Sequence, residues 1–231
     1  MRNHKVKLFL IPFAGGNSTS YRAYEALLKD TFLLYPLELA GHGYRMAEPL
    51  HKNIFDMRDD LIKQIEIHID EDSIIYGHSI GGLLGYLVTL YFEQKKSLIL
   101  KRLIVSGRAN PALSPTQIRH NLPQNIFFQQ LKSLGGMPKE FFEYPELHEL
   151  FEPILRADFE AIETFDFKER KKIETPISVL YGLDDNFSIE EVLKWRDFSR
   201  EDKINFHSFE GGHFFINQKS KAVCKIIKKS L

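Results

Sequence analysis

This sequence of 231 residues has one cysteine, no net charge and no long apolar run. A lone cysteine, Cys224, excludes an internal disulfide and is typical of a reducing compartment, so we expect a cytoplasmic protein. The 31 basic and 31 acidic residues cancel, which argues against a nucleic-acid partner. No apolar run approaches the length that crosses a bilayer, so no membrane partner is expected.

Motifs for metals and nucleotides are also missing. The sequence contains no His-Glu-x-x-His, no paired cysteines and no Gly-x-x-x-x-Gly-Lys, so we expect no metal and no cofactor. Its hydrophobic fraction of 43% is ordinary for a globular chain and sufficient for a core. At this length we expect a single domain over residues 1–231.

Short apolar runs typical of buried strands alternate with helical patterns along most of the chain. Continuous apolar strands separated by helices predict an α/β fold with a mostly parallel central sheet and helices on both faces. The predicted strands are Lys7–Ile11, Phe32–Tyr35, Ser73–Tyr76, Leu103–Ser106, Ile177–Tyr181 and Ile204–Phe209.

One segment, from Arg108 to about Lys172, interrupts this alternation. It contains six prolines and many aromatic residues, with helical patterns at Ile126–Leu134, Pro145–Phe151 and Ile154–Phe165. We expect a helical insertion at approximately 108–172 that forms a lid over an active site. The alternative is an ordinary helical crossover.

The sequence Gly77-His78-Ser79-Ile80-Gly81 follows the third predicted strand and precedes a helical pattern. This Gly-x-Ser-x-Gly arrangement resembles the nucleophile elbow of α/β-hydrolases. The sharp turn strains the serine backbone, and a Cβ two residues before or after the serine would clash. Ser79 is therefore the predicted nucleophile at the amino end of a helix. The alternative is a glycine-rich turn without chemistry.

A serine hydroxyl needs a general base, and an acid that orients the base, before it can attack. The chain order in this fold is serine, acid, histidine. Of the nine histidines, His213 follows the last predicted strand after Gly211 and Gly212, so we predict that it is the base. His78 and His42 can lie near the site without serving as the base.

The acid is expected at the carboxyl end of the penultimate strand, where Asp184 and Asp185 follow Gly182 and Leu183. The frequent Gly-x-x-Asp arrangement selects Asp185. Asp184 is then a turn-forming or supporting carboxylate.

Two backbone N–H groups are needed to stabilise the oxyanion of an acyl-transfer reaction. We predict that Ile80, directly after the nucleophile, supplies one of them. Ala14, in the loop of residues 12–16 after the first strand, supplies the other. Small residues in that loop let the backbone approach a substrate carbonyl.

Short segments spread along the chain are similar to those of one known family. They are Leu10–Gly16, Leu39–Arg45, Gly77–Gly82, Ser106–Pro111, Leu134–Pro138, Leu155–Phe159 and Phe209–Phe215. The chain thus resembles the type II, or editing, thioesterases of nonribosomal peptide and polyketide synthesis. The elbow is common to all α/β-hydrolases, whereas the Ser-Gly-Arg, Gly-Gly-x-Pro and Leu-Arg-Ala-Asp segments are far more specific.

The resemblance implies an enzyme that hydrolyses acyl or aminoacyl groups from the phosphopantetheine arm of acyl or peptidyl carrier protein domains. It implies that Ser79 forms the acyl-enzyme, that Asp185 orients His213, and that the insertion is the helical lid of the family. A monomer is expected.

Carrier domains are usually acidic, so a basic face near the lid would favour docking. The candidate residues are Arg108, Arg119, Lys132 and Lys139.

The chain departs from the family pattern at two places. Many members have histidine where Phe13 stands, and many have Pro-Gly-Arg-Gly where this chain has Leu39–Gly43. These departures concern the entrance and the acyl pocket and leave the triad intact. The alternative functions are a general carboxylesterase or lipase on small esters, a chain-terminating thioesterase domain, and a non-catalytic binding module.

Overall fold

The computed structural model describes residues 5–115, 117–167, 170–200 and 203–231. Within these ranges six strands form one sheet, with the order β2-β1-β3-β4-β5-β6, and every neighbouring pair is parallel. The strands are β1 (Val6–Ile11), β2 (Phe32–Pro36), β3 (Ile74–His78), β4 (Arg102–Ser106), β5 (Ile177–Gly182) and β6 (Ile204–Phe209). The predicted parallel sheet is confirmed.

Helices cover both faces of the sheet, as predicted. They are α1 (Arg22–Leu28), α2 (Ile54–Ile65), α3 (Ile80–Lys96), α4 (Gln124–Leu134), α5 (Lys139–Glu143), α6 (Pro145–Glu163), α7 (Ile189–Leu193), α8 (Phe215–Gln218) and α9 (Ser220–Lys228). The pair α2 and α3 packs on one face, and α1 and α9 pack on the other. No helix in the described part of the chain is long and apolar enough to cross a membrane.

Alternate residues of each strand enter two separate apolar cores. In β1, Phe9 and Ile11 join the core beside α2 and α3, whereas Leu8 and Leu10 join the core beside α1 and α9. Successive side chains of a strand point to opposite faces, so a strand between two cores is apolar at consecutive positions. Cys224 lies in the second core, where it is a packing residue of α9.

The segment between β4 and β5 contains α4, α5 and α6, and its described part contains no strand. Positions 116, 168 and 169 of the expected insertion lie outside the described residues. The three helices share an apolar core of their own, which includes Phe127, Leu131, Phe141 and Leu155. The prediction of two separate helical patterns, Pro145–Phe151 and Ile154–Phe165, is wrong, because α6 continues through Pro153 as a single helix.

A buried ion pair joins α6 to two loops at the carboxyl edge of the sheet. His42 Nε2 lies 3.0 Å from Asp158 Oδ2, and both side chains are almost completely buried. The other ring nitrogen, Nδ1, donates to the carbonyl oxygen of Ala40 at 3.0 Å. The same Asp158 oxygen accepts the backbone N–H of Gly15 at 2.7 Å. The insertion is therefore fastened to the loop after β1.

Both ring nitrogens of His42 face oxygen acceptors, so both hydrogen bonds form only when the ring carries two protons. Burial lowers the pKa of His42, but the hydrogen bond and charge of Asp158, the Ala40 carbonyl and the charge of Glu38 outweigh it. The resulting pKa of His42 lies above its ordinary value of 6.5.

We expect the free energy of unfolding to decrease as the pH rises through the raised pKa of His42, above 6.5. A group with a higher pKa in the folded state stabilises the fold fully below its unfolded pKa, and this contribution is lost once the folded group deprotonates. The substitution Asp158→Asn removes the charge that raises the pKa of His42, so the decrease should become shallower. Urea unfolding between about pH 6 and 9 measures it.

The control for this experiment is Asp72→Asn, which removes an exposed ion pair with Lys101. Its pH dependence should match that of the unsubstituted protein, because exposed pairs contribute little to stability. An identical pH dependence in Asp158→Asn would contradict the assignment to the buried pair.

Candidate active site

Ser79 occupies the turn between β3 and α3 in a backbone conformation that few non-glycine residues adopt. Its φ is 57° and its ψ is −119°. Strain of this kind costs about 1–3 kcal/mol, so the surroundings must hold the residue in place. The Ser79 N–H donates to the Ser106 carbonyl oxygen at 2.8 Å, and the Ser79 carbonyl oxygen accepts the Gly82 N–H at 3.0 Å.

The two glycines of the motif lie where the turn leaves no room for a side chain. A Cβ on Gly77 would overlap the carbonyl of Gly81. A Cβ on Gly81 would lie 2.5 Å from the carbonyl oxygen of Ile11, at the end of β1. The turn therefore requires glycine at both positions, as inferred from the sequence. The close approach of β1 also brings the loop after β1 beside Ser79.

Ala14, in the loop after β1, and Ile80, the first residue of α3, line the same cavity as the serine. The first N–H groups of a helix have no acceptor within the helix, and the helix dipole favours negative charge there. Gly15 has a φ of 71° and donates to Asp158. A Cβ on Gly15 would lie 2.6 Å from the side chain of Leu155, so α6 packs directly against this loop.

His213, in the loop after β6, contacts Asp185, in the loop after β5. Its Nδ1 lies 3.0 Å from Oδ2 and 3.2 Å from Oδ1 of Asp185. Only 11% of the His213 side chain and 3% of the Asp185 side chain is exposed. This contact uses Nδ1 and leaves Nε2 as the nitrogen that can exchange a proton.

Asp184 has a different environment from its neighbour. It is exposed, and its backbone N–H donates to the Gly211 carbonyl oxygen at 3.0 Å. A Cβ on Gly182 would lie 2.6 Å from the Gly212 carbonyl oxygen, so the loops after β5 and β6 pack backbone against backbone. Asp184 thus helps to hold together the two loops that carry His213 and Asp185.

Ser79, His213, Asp185, Ala14 and Ile80 line one cavity of about 170 Å³, so the structure brings together every predicted site residue. Among the hydrogen bonds of the described residues, none joins the serine hydroxyl to the imidazole. In ligand-free enzymes such bonds are often long and tighten when substrate binds. Much of the remaining wall is apolar and comes from α4 and α6, through Leu131, Leu134, Leu155, Phe159 and Ile162.

His78 packs beside His213 in its uncharged form. Its ring is buried and its centroid lies 5.0 Å from that of His213. Its Nδ1 lies 2.9 Å from the Ser106 hydroxyl. Burial, and then the charge of His213, hold the pKa of His78 well below its usual range. A ring that stays neutral beside His213 supports the site without adding a second cation.

The expected basic docking face is only partly present. Lys132, on α4, and Lys139, at the start of α5, are exposed. Arg119 lines the cavity and pairs with Glu163 at 3.5 Å. Arg108 also lines the cavity and is only partly exposed, so its part in docking stays a prediction.

Asp158 and Arg108 are absent from the site predicted by sequence. Asp158 fixes the loop that carries Ala14, and Arg108 lines the cavity. Both lie in segments that carry the family resemblance, Ser106–Pro111 and Leu155–Phe159, and this is the sequence signal that points to them. Across the described ranges, no group of three or more histidine, cysteine, aspartate or glutamate side chains could hold a metal.

Comparisons with known proteins identify the family of this chain. The family model described as "Thioesterase domain" matches residues 6–231. Linear gramicidin dehydrogenase LgrE of Brevibacillus parabrevis is 28% identical, over 98% of this chain and 88% of that protein. The structure of ClbQ from the colibactin NRPS/PKS pathway is 29% identical, with a TM-score of 0.91 over 98% of this chain and 97% of ClbQ.

A second solved structure is YbtT, described as a type II thioesterase from the yersiniabactin NRPS/PKS biosynthetic pathway. It is 26% identical, with a TM-score of 0.88 over 99% of this chain and 94% of YbtT. The gramicidin relative is named a dehydrogenase, but the family match covers nearly the whole chain and is to a thioesterase. The predicted fold class and the resemblance stated from the sequence are both confirmed, and the chain belongs to the thioesterase domain family.

Proposed function

We propose that this chain is a serine thioesterase that hydrolyses acyl or aminoacyl groups from the phosphopantetheine arm of carrier protein domains. In this role it regenerates misprimed carriers of nonribosomal peptide or polyketide synthesis. The observation that carries the proposal is the meeting of Ser79, His213 and Asp185 in one cavity of a chain from the thioesterase family. Two solved relatives are described as proteins of NRPS/PKS pathways, which supports the carrier-bound substrate.

In the proposed mechanism, His213 Nε2 accepts the hydroxyl proton of Ser79 while the serine oxygen attacks the thioester carbonyl carbon. Asp185 accepts the N–H of His213 Nδ1 and stabilises the imidazolium. The N–H groups of Ile80 and Ala14 donate to the oxyanion, where removal of one donor typically lowers kcat by about 10²–10³-fold.

Collapse of this intermediate breaks the C–S bond, and His213 returns the proton to the departing pantetheine sulfur. The acyl group remains on Ser79 as an ester. His213 then removes a proton from water as the water oxygen attacks that ester. The ester bond breaks, the proton passes to the serine oxygen, and the free acid leaves.

We infer that the insertion at approximately 108–172 is a lid within a single domain of residues 1–231. Its helices α4 and α6 supply much of the apolar cavity wall, and its own apolar core lets it move as a unit. A lid excludes water from the thioester before the serine attacks and holds the acyl chain against the elbow. Lys132, on α4, and Lys139, on α5, are exposed cations of this insertion and candidates for contact with an acidic carrier.

The proposal includes a monomeric enzyme in the cytoplasm. The single cysteine supports a reducing compartment, because Cys224 is buried and has no partner cysteine. A carboxylesterase would use the same three residues, so substrate preference distinguishes the two activities.

Ser79→Ala and His213→Ala should each lower kcat by at least about 10⁴-fold, as in other triads, because either change removes the nucleophile or its base. Neither change should lower the melting temperature appreciably, since both side chains lie in loops rather than in the apolar cores. Turnover of an acetylated carrier and thermal unfolding measure the two effects. Retained turnover in His213→Ala would refute the triad.

Asp185→Asn should lower kcat by about 10³–10⁴-fold, because an amide cannot hold the histidine in the required protonation state. Asp184→Asn is the matched control on the adjacent residue, whose carboxylate is exposed, and should change kcat by less than about threefold. Steady-state kinetics with one thioester compares them. The reverse order of effects would assign the acid role to Asp184.

The substrate class is tested with acetyl-phosphopantetheinyl carrier domain, acetyl-coenzyme A and a small oxygen ester, with Ser79→Ala as the inactive control. We expect the highest kcat/KM for the carrier-bound thioester, because binding of the carrier surface contributes to transition-state stabilisation. Equal or faster hydrolysis of the oxygen ester, with no gain from the carrier, would indicate a general esterase instead.

A further inference from the structure

The cavity beside Ser79 contains a cationic side chain that no carboxylate of the described residues neutralises. Arg108 is partly buried and lines the cavity. Among the described residues it forms no ion pair, and its Nε is sealed from solvent without a hydrogen-bond partner. Burial lowers the pKa of Arg108 to about 10, and no neighbouring charge offsets this effect. The guanidinium is still protonated at neutral pH.

The second arginine of the cavity shows the contrasting arrangement. Arg119 pairs with Glu163, and the Glu163 carboxylate also accepts the backbone N–H groups of Arg119 and His120. Glu191 is another carboxylate of the cavity, and it accepts the N–H of Ser188 at 2.9 Å. These two carboxylates are therefore engaged elsewhere. Among the described residues Arg108 has no carboxylate partner, in contrast to Arg119, although the Nε of both arginines lacks a hydrogen-bond partner.

An uncompensated cation in a partly apolar cavity destabilises the folded protein. The planar guanidinium presents paired N–H donors that match a carboxylate, and such charge-assisted pairs are stronger than neutral hydrogen bonds. The backbone of Arg108 is fixed, because its carbonyl oxygen accepts the indole N–H of buried Trp195 at 3.1 Å. The side chain therefore starts from a defined position on the cavity wall.

Arg108 is also close to the reacting centre. It follows Ser106 after one glycine, and the Ser106 carbonyl oxygen accepts the Ser79 N–H at 2.8 Å. Its Cβ would lie 3.7 Å from a Cβ on Gly82, in the first turn of α3. The phosphate of a phosphopantetheine arm lies at the opposite end of the arm from the thioester. An anion that reaches Arg108 therefore belongs to the acyl group.

We propose that Arg108 forms a carboxylate-binding subsite, so that the enzyme accepts short acyl groups that carry a second carboxylate at their far end. These groups are half-thioesters of dicarboxylic acids. The cavity of about 170 Å³ suits a short chain, since an engineered cavity of about 150 Å³ holds benzene. This inference rests on the proposed function, because it places the acyl carbonyl at Ser79.

The test compares succinyl and butyryl thioesters of pantetheine, which have equal chain length and differ in the terminal carboxylate. The quantity measured is the ratio of their kcat/KM values. Arg108→Met should lower the succinyl-to-butyryl ratio by about 10- to 100-fold, the size expected for a lost charge-assisted hydrogen bond. Arg108→Lys should retain part of the ratio. The matched control is Arg58→Met, outside the cavity, which should leave the ratio unchanged.

The melting temperature distinguishes a ligand-binding role of Arg108 from a structural role. Arg108→Met should melt at the same or a higher temperature than the unsubstituted protein, because it removes an uncompensated charge. A lower melting temperature, together with equal losses on both thioesters, would overturn the proposal. So would a ratio that stays within about twofold of the unsubstituted value, which is too small for a charge-assisted contact.

A binding measurement separates this inference from the proposed function. In the Ser79→Ala protein, succinamate, which carries a free carboxylate, should raise the melting temperature more than butyramide, which carries none, and the added Arg108→Met change should abolish the difference. If hydrolysis of butyryl-pantetheine does not require Ser79, the proposed function fails and the succinamate shift alone decides on Arg108. If hydrolysis requires Ser79 but neither ratio nor shift depends on Arg108, only the subsite is refuted.

Discussion

The strained backbone of Ser79 is the constraint on which the rest of the site depends. The residue keeps a φ of 57° only because Gly77 and Gly81 leave space for two backbones to meet at the turn. That close approach places the end of β1 under the elbow, while Ser106 accepts the Ser79 N–H from the other side. The serine is thus held between the strands that carry the loops of Ala14 and Arg108.

Strand order then determines which loops share the cavity. Since all neighbouring strands are parallel, the loops after β1, β3, β4, β5 and β6 leave the same edge of the sheet. Residues that are far apart in the sequence therefore meet at this edge because of the strand order alone. Two apolar cores, one on each face, fix the sheet, so the polar groups of the site are carried by loops on a rigid support.

Much of the fold and site could be predicted from the sequence, because the signals were local. The elbow, the glycines before His213 and the Gly-x-x-Asp spacing each depend on a few adjacent residues. Pro153 misled the prediction, since proline removes a helix hydrogen bond. It lies on the exposed side of α6, where water can satisfy the freed carbonyl, while buried Ile154 and Leu155 keep the helix packed. Tertiary packing outweighed the local preference.

The contact of α6 with the loop after β1 has a kinetic consequence. Asp158 and Leu155 of this helix hold Gly15, the neighbour of Ala14. An outward displacement of α6 would widen the cavity and at the same time remove the acceptor of the Gly15 N–H. Under the proposed mechanism, the admission of substrate and the reactivity toward it are therefore coupled. A conformation with α6 displaced outward would exchange ligands quickly and catalyse poorly, whereas a closed conformation would combine slow exchange with a formed reaction centre.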